Sequence, residues 1–250
     1  MAELLMQEES STPATPSSGK WKLYPKASGY YLIDDNGLEI GPLAPAHGWT
    51  PVYDTWTYAS ASTITIPTDG TTTYQKDVKI RFKQGAGFKY YVGTTIAATL
   101  ITVAVNTDYV VANAAITDIS YSYVENPFGW PGWFAFAPTI TGFSANPTSA
   151  AYRYKILGNT VYFVFVQGGA GTSNATTFTI SLPVAAKTIS NAQWFCNTAP
   201  VQDNGVLLTT PGLGIVPSAA TVLTLYSRSD LQAWTAANGK YSSGIIIYEI

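Results

Sequence analysis

Apolar and polar residues alternate along this chain in short runs, cut every few positions by Gly, Pro, Asn or Asp. This is the period-two signature of half-buried strands, and no run keeps a helical period for more than about two turns. Residues 20–43 read as a meander. Leu23-Tyr24, Tyr30 to Ile33 and Leu38 to Ile40 are its apolar segments, with turn signals at Ala27-Ser28-Gly29 and Asp35-Asn36-Gly37. Ser62 to Pro67 alternates strictly. Val78 to Lys83 sets apolar against basic positions, and Phe88 to Val92 returns after a Gly85-Ala86-Gly87 turn. Further on, Tyr152 to Leu157 and Thr160 to Val166 make a hairpin across Gly158-Asn159. Thr176 to Leu182 and Thr221 to Tyr226 are further strands, and Gly244 to Ile250 closes the chain as a buried strand.

The breakers divide this all-β pattern into five segments. Residues 1–18 form a flexible tether, a Pro/Ser/Thr linker with Leu4, Leu5 and Met6 as a sticky tip. Residues 19–48 hold the meander, 49–125 a small β-barrel or sandwich module, and 138–250 a larger two-sheet sandwich. Between the last two, residues 126–137 are an aromatic junction too rich in Gly and Pro for a regular element. Its rings are expected to lie against a neighbouring domain or subunit.

A lone hairpin is marginal in water, and nothing beside the meander in sequence could cover its apolar face. Another chain, most simply a copy of this one, is expected to bury it through Trp21, Leu23, Tyr31, Leu32 and Ile33. Asp in place of Leu32 or Ile33 is then expected to disrupt an assembly rather than a monomer's core. Composition points the same way. Only 11% of residues are charged, against about 25% in an average protein, while 14% are aromatic. Such a chain stays in water through Ser, Thr, Asn and Gly, as β-rich surfaces that meet other surfaces do.

The net charge of −2 supplies no field for nucleic acid, and no apolar run is long enough for membrane insertion as a helix. The opening residues lack the basic and apolar regions of a secretory signal, so synthesis in a cytoplasm is expected. Chemistry is sparse. His47 is the single His and sits in a Gly/Pro linker; Cys196 is the single Cys and is expected to pack as a small apolar residue. Together they cannot form a His/Cys zinc site, and no nucleophile–base pair is in view. The acids lie mostly in turn-like settings, Asp34-Asp35-Asn36-Gly37 among them. No catalytic residue, cofactor or metal ligand is assigned. Lys76, Lys79, Arg81, Lys83 and Lys89 form a basic stripe, read as a solvated outer face. Trp234, Trp194, Tyr226 and Tyr241 are the candidate glycan contacts of the distal body, because flat rings cover pyranose C–H faces. Trp234, in the most loop-like setting, comes first.

Residues 11–20 with the Leu23-Tyr24 … Asp35-Asn36-Gly37 hairpin resemble the amino-terminal units of bacteriophage tail-fibre and related virion fibre proteins. Residues 74–84 with 88–92 are similar to a small β module of the same family, and 139–144 with 171–182 to its carboxy-terminal domains. The resemblance implies a homotrimer on the virion. Leu4, Leu5 and Met6 would anchor it to a capsid or tail/baseplate protein, residues 19–48 would form a trimer collar, and a jelly-roll-like head would meet a host surface or glycan. The chain lacks the long shaft of many fibres. A purely structural capsid or tail decoration protein is the second reading, and a glycan-degrading tail enzyme the third.

Overall fold

The computed structural model describes residues 8–26, 29–41, 48–167 and 169–250. The anchor residues Leu4, Leu5 and Met6, the Ala27-Ser28 turn and His47 lie outside them. Among the described residues all regular structure is antiparallel strand, save one 3-10 turn at Gly70–Thr72 capped by the Asp69 carboxylate.

The meander forms as its turn chemistry dictates. Strand Lys22–Lys26 pairs with Gly29–Ile33, which pairs with Glu39–Ile40. The Asp34 carboxylate accepts the amides of Asn36 (3.0 Å) and Leu38 (2.7 Å), and Gly37 takes φ +83°, which an L-residue with a side chain disfavours. The leader is not free from residue 8 onward. The Glu9 amide donates to the Pro25 carbonyl (2.9 Å), the Thr12 hydroxyl to the Glu39 carboxylate (2.6 Å) and the Gly19 amide to Asp35 (2.6 Å). An extended strap thus lies across one face of the meander.

The middle module is one seven-stranded sheet wrapped round its own core. Its order is 50–51, 117–122, 79–83, 88–96, 100–103, 63–65, 57–60. Strand Phe88–Ile96 serves both halves, pairing with Lys79–Lys83 through its start and with Leu100–Val103 through its end. The register shifts at Gly93, where a Cβ would stand 2.7 Å from a Val78 methyl, so the sheet bends at the one residue without a side chain. Trp56, Ile64, Phe82, Tyr91 and Ile101 fill the interior.

Two positions of the basic stripe are a correction. Lys79 is only 5% exposed and lies over Trp130 (5.8 Å to the ring centre). Arg81 lies over Trp49 (4.5 Å) and Phe88 (4.6 Å). Rings supply flat faces on which these two cations rest, while Lys76 is exposed and Lys83 and Lys89 are half-buried.

The distal body packs the sheet 134–135/150–157/160–167/244–249 against the sheet 140–141/179–181/222–226/212–217/193–198. A third sheet, 143–145/171–173/239–242/201–203/206–207, completes the body. The Gly158-Asn159 hairpin forms in the expected register, Leu157 opposite Thr160. Phe163, Phe165, Ile246 and Tyr248 from one sheet meet Ile180, Val216, Leu223 and Leu225 from the other. The closing strand is not wholly buried as expected. Ile246, Tyr248 and Ile250 point in, while Ile245 and Ile247 point out, because a sheet covered on one face alternates.

Part of the junction lies against its neighbours, while its Phe128 stands 79% exposed. Tyr90, Trp130, Phe134 and Tyr154 form a chain of ring contacts from middle module to distal body. Backbone bonds reinforce it: Thr107 amide to Ala135 carbonyl (2.9 Å) and Ala135 amide to Asp108 carboxylate (2.6 Å).

Candidate functional site

Side chains along a strand alternate between faces, and this divides the expected collar residues into two sets. On the strap side, Tyr24 stacks on Tyr31 (6.0 Å between centres), and Ile33 is 2% exposed beside them. Glu39 is the polar centre of that side. It accepts from Lys26 (2.8 Å), Thr12 (2.6 Å) and the Tyr24 hydroxyl. The Lys26 bond first, then those from Thr12 and Tyr24, pull its carboxyl down to about 2. Tyr31 and Ile33 are therefore buried within their own chain and are withdrawn from the intermolecular set.

The opposite side is open. Leu23, Leu32 and Ile40 make one cross-strand row. Trp21 (56% exposed) and Tyr30 (54%) extend it. Tyr30, Leu38 and Ile40 were not in the expected intermolecular set, although a strict period of two from Leu32 points to Tyr30. The result is an apolar sheet face on which Trp21, Leu23, Tyr30 and Ile40 are exposed and Leu32 is half-buried.

A second open face lies on the distal body. The pairs Val164–Ile245, Tyr162–Ile247 and Ala151–Val166 line the outer side of the four-stranded sheet. Val166, Ile245 and Ile247 are each nearly half exposed.

The four candidate glycan rings do not converge. Trp234 comes from a segment without regular structure, as expected, but its indole is 2% exposed and donates to the Leu225 carbonyl (2.7 Å). Its edge meets Phe178 (5.4 Å). The loop is drawn inward because the Asp203 carboxylate accepts both the amide and the hydroxyl of Thr235 (3.0 Å each). No ring face is left for a sugar, and Trp234 is corrected to a core residue. Trp194, Tyr226 and Tyr241 are half-buried on different strands.

Under Trp234 sits a feature the sequence did not signal. Lys240 is 0% exposed. Its ammonium donates to the carbonyls of Ala175 and Thr177 (2.8 Å each) and lies 4.9 Å from the Phe143 ring centre, with Phe178 and Trp234 just beyond. Burial pushes its pKa down to about 8, against a smaller upward pull from Asp203. The ammonium ties the strand carrying Lys240 to the 175–177 turn. It opens on no described cleft.

The acids behave as turn and seam residues. Asp69 caps a turn, Asp108 and Asp203 accept backbone amides, and Asp118 pairs with Lys83 (2.8 Å). Among the described residues no three His, Cys, Asp or Glu side chains gather as a metal site. Burial pushes the Cys196 thiol up to about 11, which keeps it protonated and unreactive at neutral pH. No helix of the described residues is long and apolar enough to cross a membrane. Comparison of the chain with protein-family models, with curated proteins and with solved structures finds no match to any of them.

Proposed function

We propose that this chain is a virion fibre protein of the bacteriophage type. In this reading it is a homotrimer, held to a capsid or tail protein by its amino terminus and presenting the distal sandwich to a host surface or glycan. The observation that carries the proposal is the open face of the meander. Leu23 and Ile40, either side of a half-buried Leu32 and widened by Trp21 and Tyr30, stand exposed in the single chain. A closed symmetric ring of copies removes such a face, and burial at roughly 25 cal/mol per Å² rewards it.

Light scattering tests this directly. Full-length protein at micromolar concentration should weigh three times the 26.8 kDa chain. A monomer overturns the reading. Leu32→Asp should yield folded monomers, because its side chain is on the open face. Ile33→Asp should instead unfold the meander.

The burial of Trp234 favours one second reading, a structural decoration protein without receptor binding, since the leading glycan ring of the distal body is closed. Particles lacking the protein that still adsorb normally to cells decide for it.

A further inference from the structure

Where the junction meets the distal body, a cleft of about 240 Å³ is lined by Glu125, Asn126, Trp130, Trp133, Phe134 and the strand segment 155–157. Trp133 is unusual among the junction rings. Trp130, Phe134 and Phe136 each pack on other rings, whereas Trp133 makes no ring–ring contact among the described residues. Its indole meets two cations instead, Lys155 at 5.2 Å and Arg153 at 5.5 Å from the ring centre. Lys155, which also lies over Tyr162 (4.8 Å), is the one that lines the cleft, and it has no carboxylate partner among the described residues. Asn126 and Glu125 are exposed at the rim.

We propose that this cleft binds an acidic sugar unit. Its carboxylate rests on Lys155, its apolar C–H face on the Trp133 indole, and its hydroxyls on Asn126 and Glu125. Each part of the site answers one part of such a ligand. The half-buried Lys155 ammonium calls for an anion, and a charge-assisted hydrogen bond is roughly twice as strong as a neutral one. An indole that packs on no other ring offers apolar surface to a sugar. Rim amide and carboxylate groups call for hydroxyls. The volume holds about one monosaccharide, so a polymer would present one residue at a time. The larger groove of about 640 Å³ beside Tyr53 and Phe88 lacks this character, because its Lys83 is already neutralised by Asp118 at 2.8 Å. The proposal gives the attachment reading a ligand class and a location away from the rings the sequence singled out. It rests on that reading only for its biological setting.

Saturation-transfer NMR and calorimetry on the full chain, with D-glucuronate, D-glucose and acetate as probes, test it. Glucuronate should bind with a Kd near ~1 mM at low salt, as expected for a ligand of this size. Glucose and acetate should each bind at least ~10-fold more weakly, having lost the anion or the sugar face. Lys155→Met should remove the preference for glucuronate over glucose, and Trp133→Leu should remove binding. Glu125→Gln lies at the exposed rim, where it leaves the fold alone. It should tighten glucuronate about threefold by removing the one carboxylate in the lining. Acetate competing as well as glucuronate, glucose binding equally, or no binding by any probe overturns the proposal. So does glucuronate binding that survives Lys155→Met and Trp133→Leu. The trimer is scored separately: a trimer that ignores glucuronate sinks the cleft alone, and a monomer that binds it sinks the collar alone.

Discussion

The meander and the distal body solve the same problem with opposite means. The meander has three core side chains, Tyr24, Tyr31 and Ile33. It closes one face with a strap held by the Glu39 network and leaves the other face open. The distal body has a continuous two-sheet core that seals even a lysine inside, although the outer face of one sheet leaves Val166, Ile245 and Ile247 nearly half exposed. In the meander, charge works at the surface as a latch and apolar groups face water. In the distal body the order is reversed, with apolar groups inside and one buried ammonium held by carbonyls and rings. The face left open despite the latch is where the proposed assembly would close the segment.

The largest effect should come from breaking the self-sufficient half. Phe163 is fully buried and touches Phe136 (5.9 Å) and Phe165 (6.1 Å). Phe163→Ala should cost about 3–5 kcal/mol, read as a lowered urea midpoint for the distal body. The same truncation on the open face, Leu23→Ala, should leave the urea midpoint of the isolated chain almost unchanged and weaken only association. Equal effects at the two positions would erase the distinction between closed and open halves.

Next in size is the buried ammonium. Lys240 titrates near 8 when folded and at 10.5 when unfolded. Between those values the unfolded chain holds a proton that the folded chain has released, so stability should rise with pH across that window, by on the order of 2 kcal/mol. Above pH 10 the trend should reverse. Burial raises Tyr74, Tyr91 and Tyr248 well above 10, so there the folded chain holds protons that the unfolded one has lost. The Cys196 thiol, at 9.0 when free and about 11 when folded, opposes the Lys240 rise from pH 9 upward, so thermal melts from pH 7 to 11 should peak between pH 9 and 10. Lys240→Met should flatten the rise below the peak and leave the fall above it. A rise that persists in the variant assigns it elsewhere.

How much of this was legible in the sequence depends on the range of the interactions involved. Local turn chemistry at Asp34 to Gly37 and at Gly158-Asn159 revealed hairpins, because a turn is decided by the residues that make it. Strand alternation revealed the all-β class. Failures came where two distant segments meet. Lys79 and Arg81 looked solvated because Trp130 and Trp49 lie far away in sequence. Trp234 looked exposed because its loop is pulled in by Asp203, 32 positions from Thr235. Lys240 carries no local mark of burial at all, since the carbonyls that hold it come from residues 175–177. One error was avoidable. Tyr31, Leu32 and Ile33 were placed on one interface, although successive strand residues cannot share a face.

The smallest effect is also the most selective, and it acts on the latch. With the Glu39 carboxyl held at about 2 in the folded chain and at 4.5 when free, its bonds to Lys26, Thr12 and Tyr24 contribute above pH 4.5 and are lost as the pH falls towards 2. Acid should therefore lift the strap at residues 9–19 before it touches the two-sheet core of the distal body. Hydrogen exchange followed down the pH scale, after correction for intrinsic rates, should show the Glu9 and Gly19 amides losing protection while those of Val161 to Phe165 keep theirs. Glu39→Gln keeps the side chain's shape but drops the charge that Lys26 pairs with, so it should reproduce the acid state of the strap at neutral pH. It should leave the distal body unchanged. Loss of protection in both regions at the same pH would mean that the meander and the distal body unfold as one unit, and the contrast between a latched half and a sealed half would fall with it.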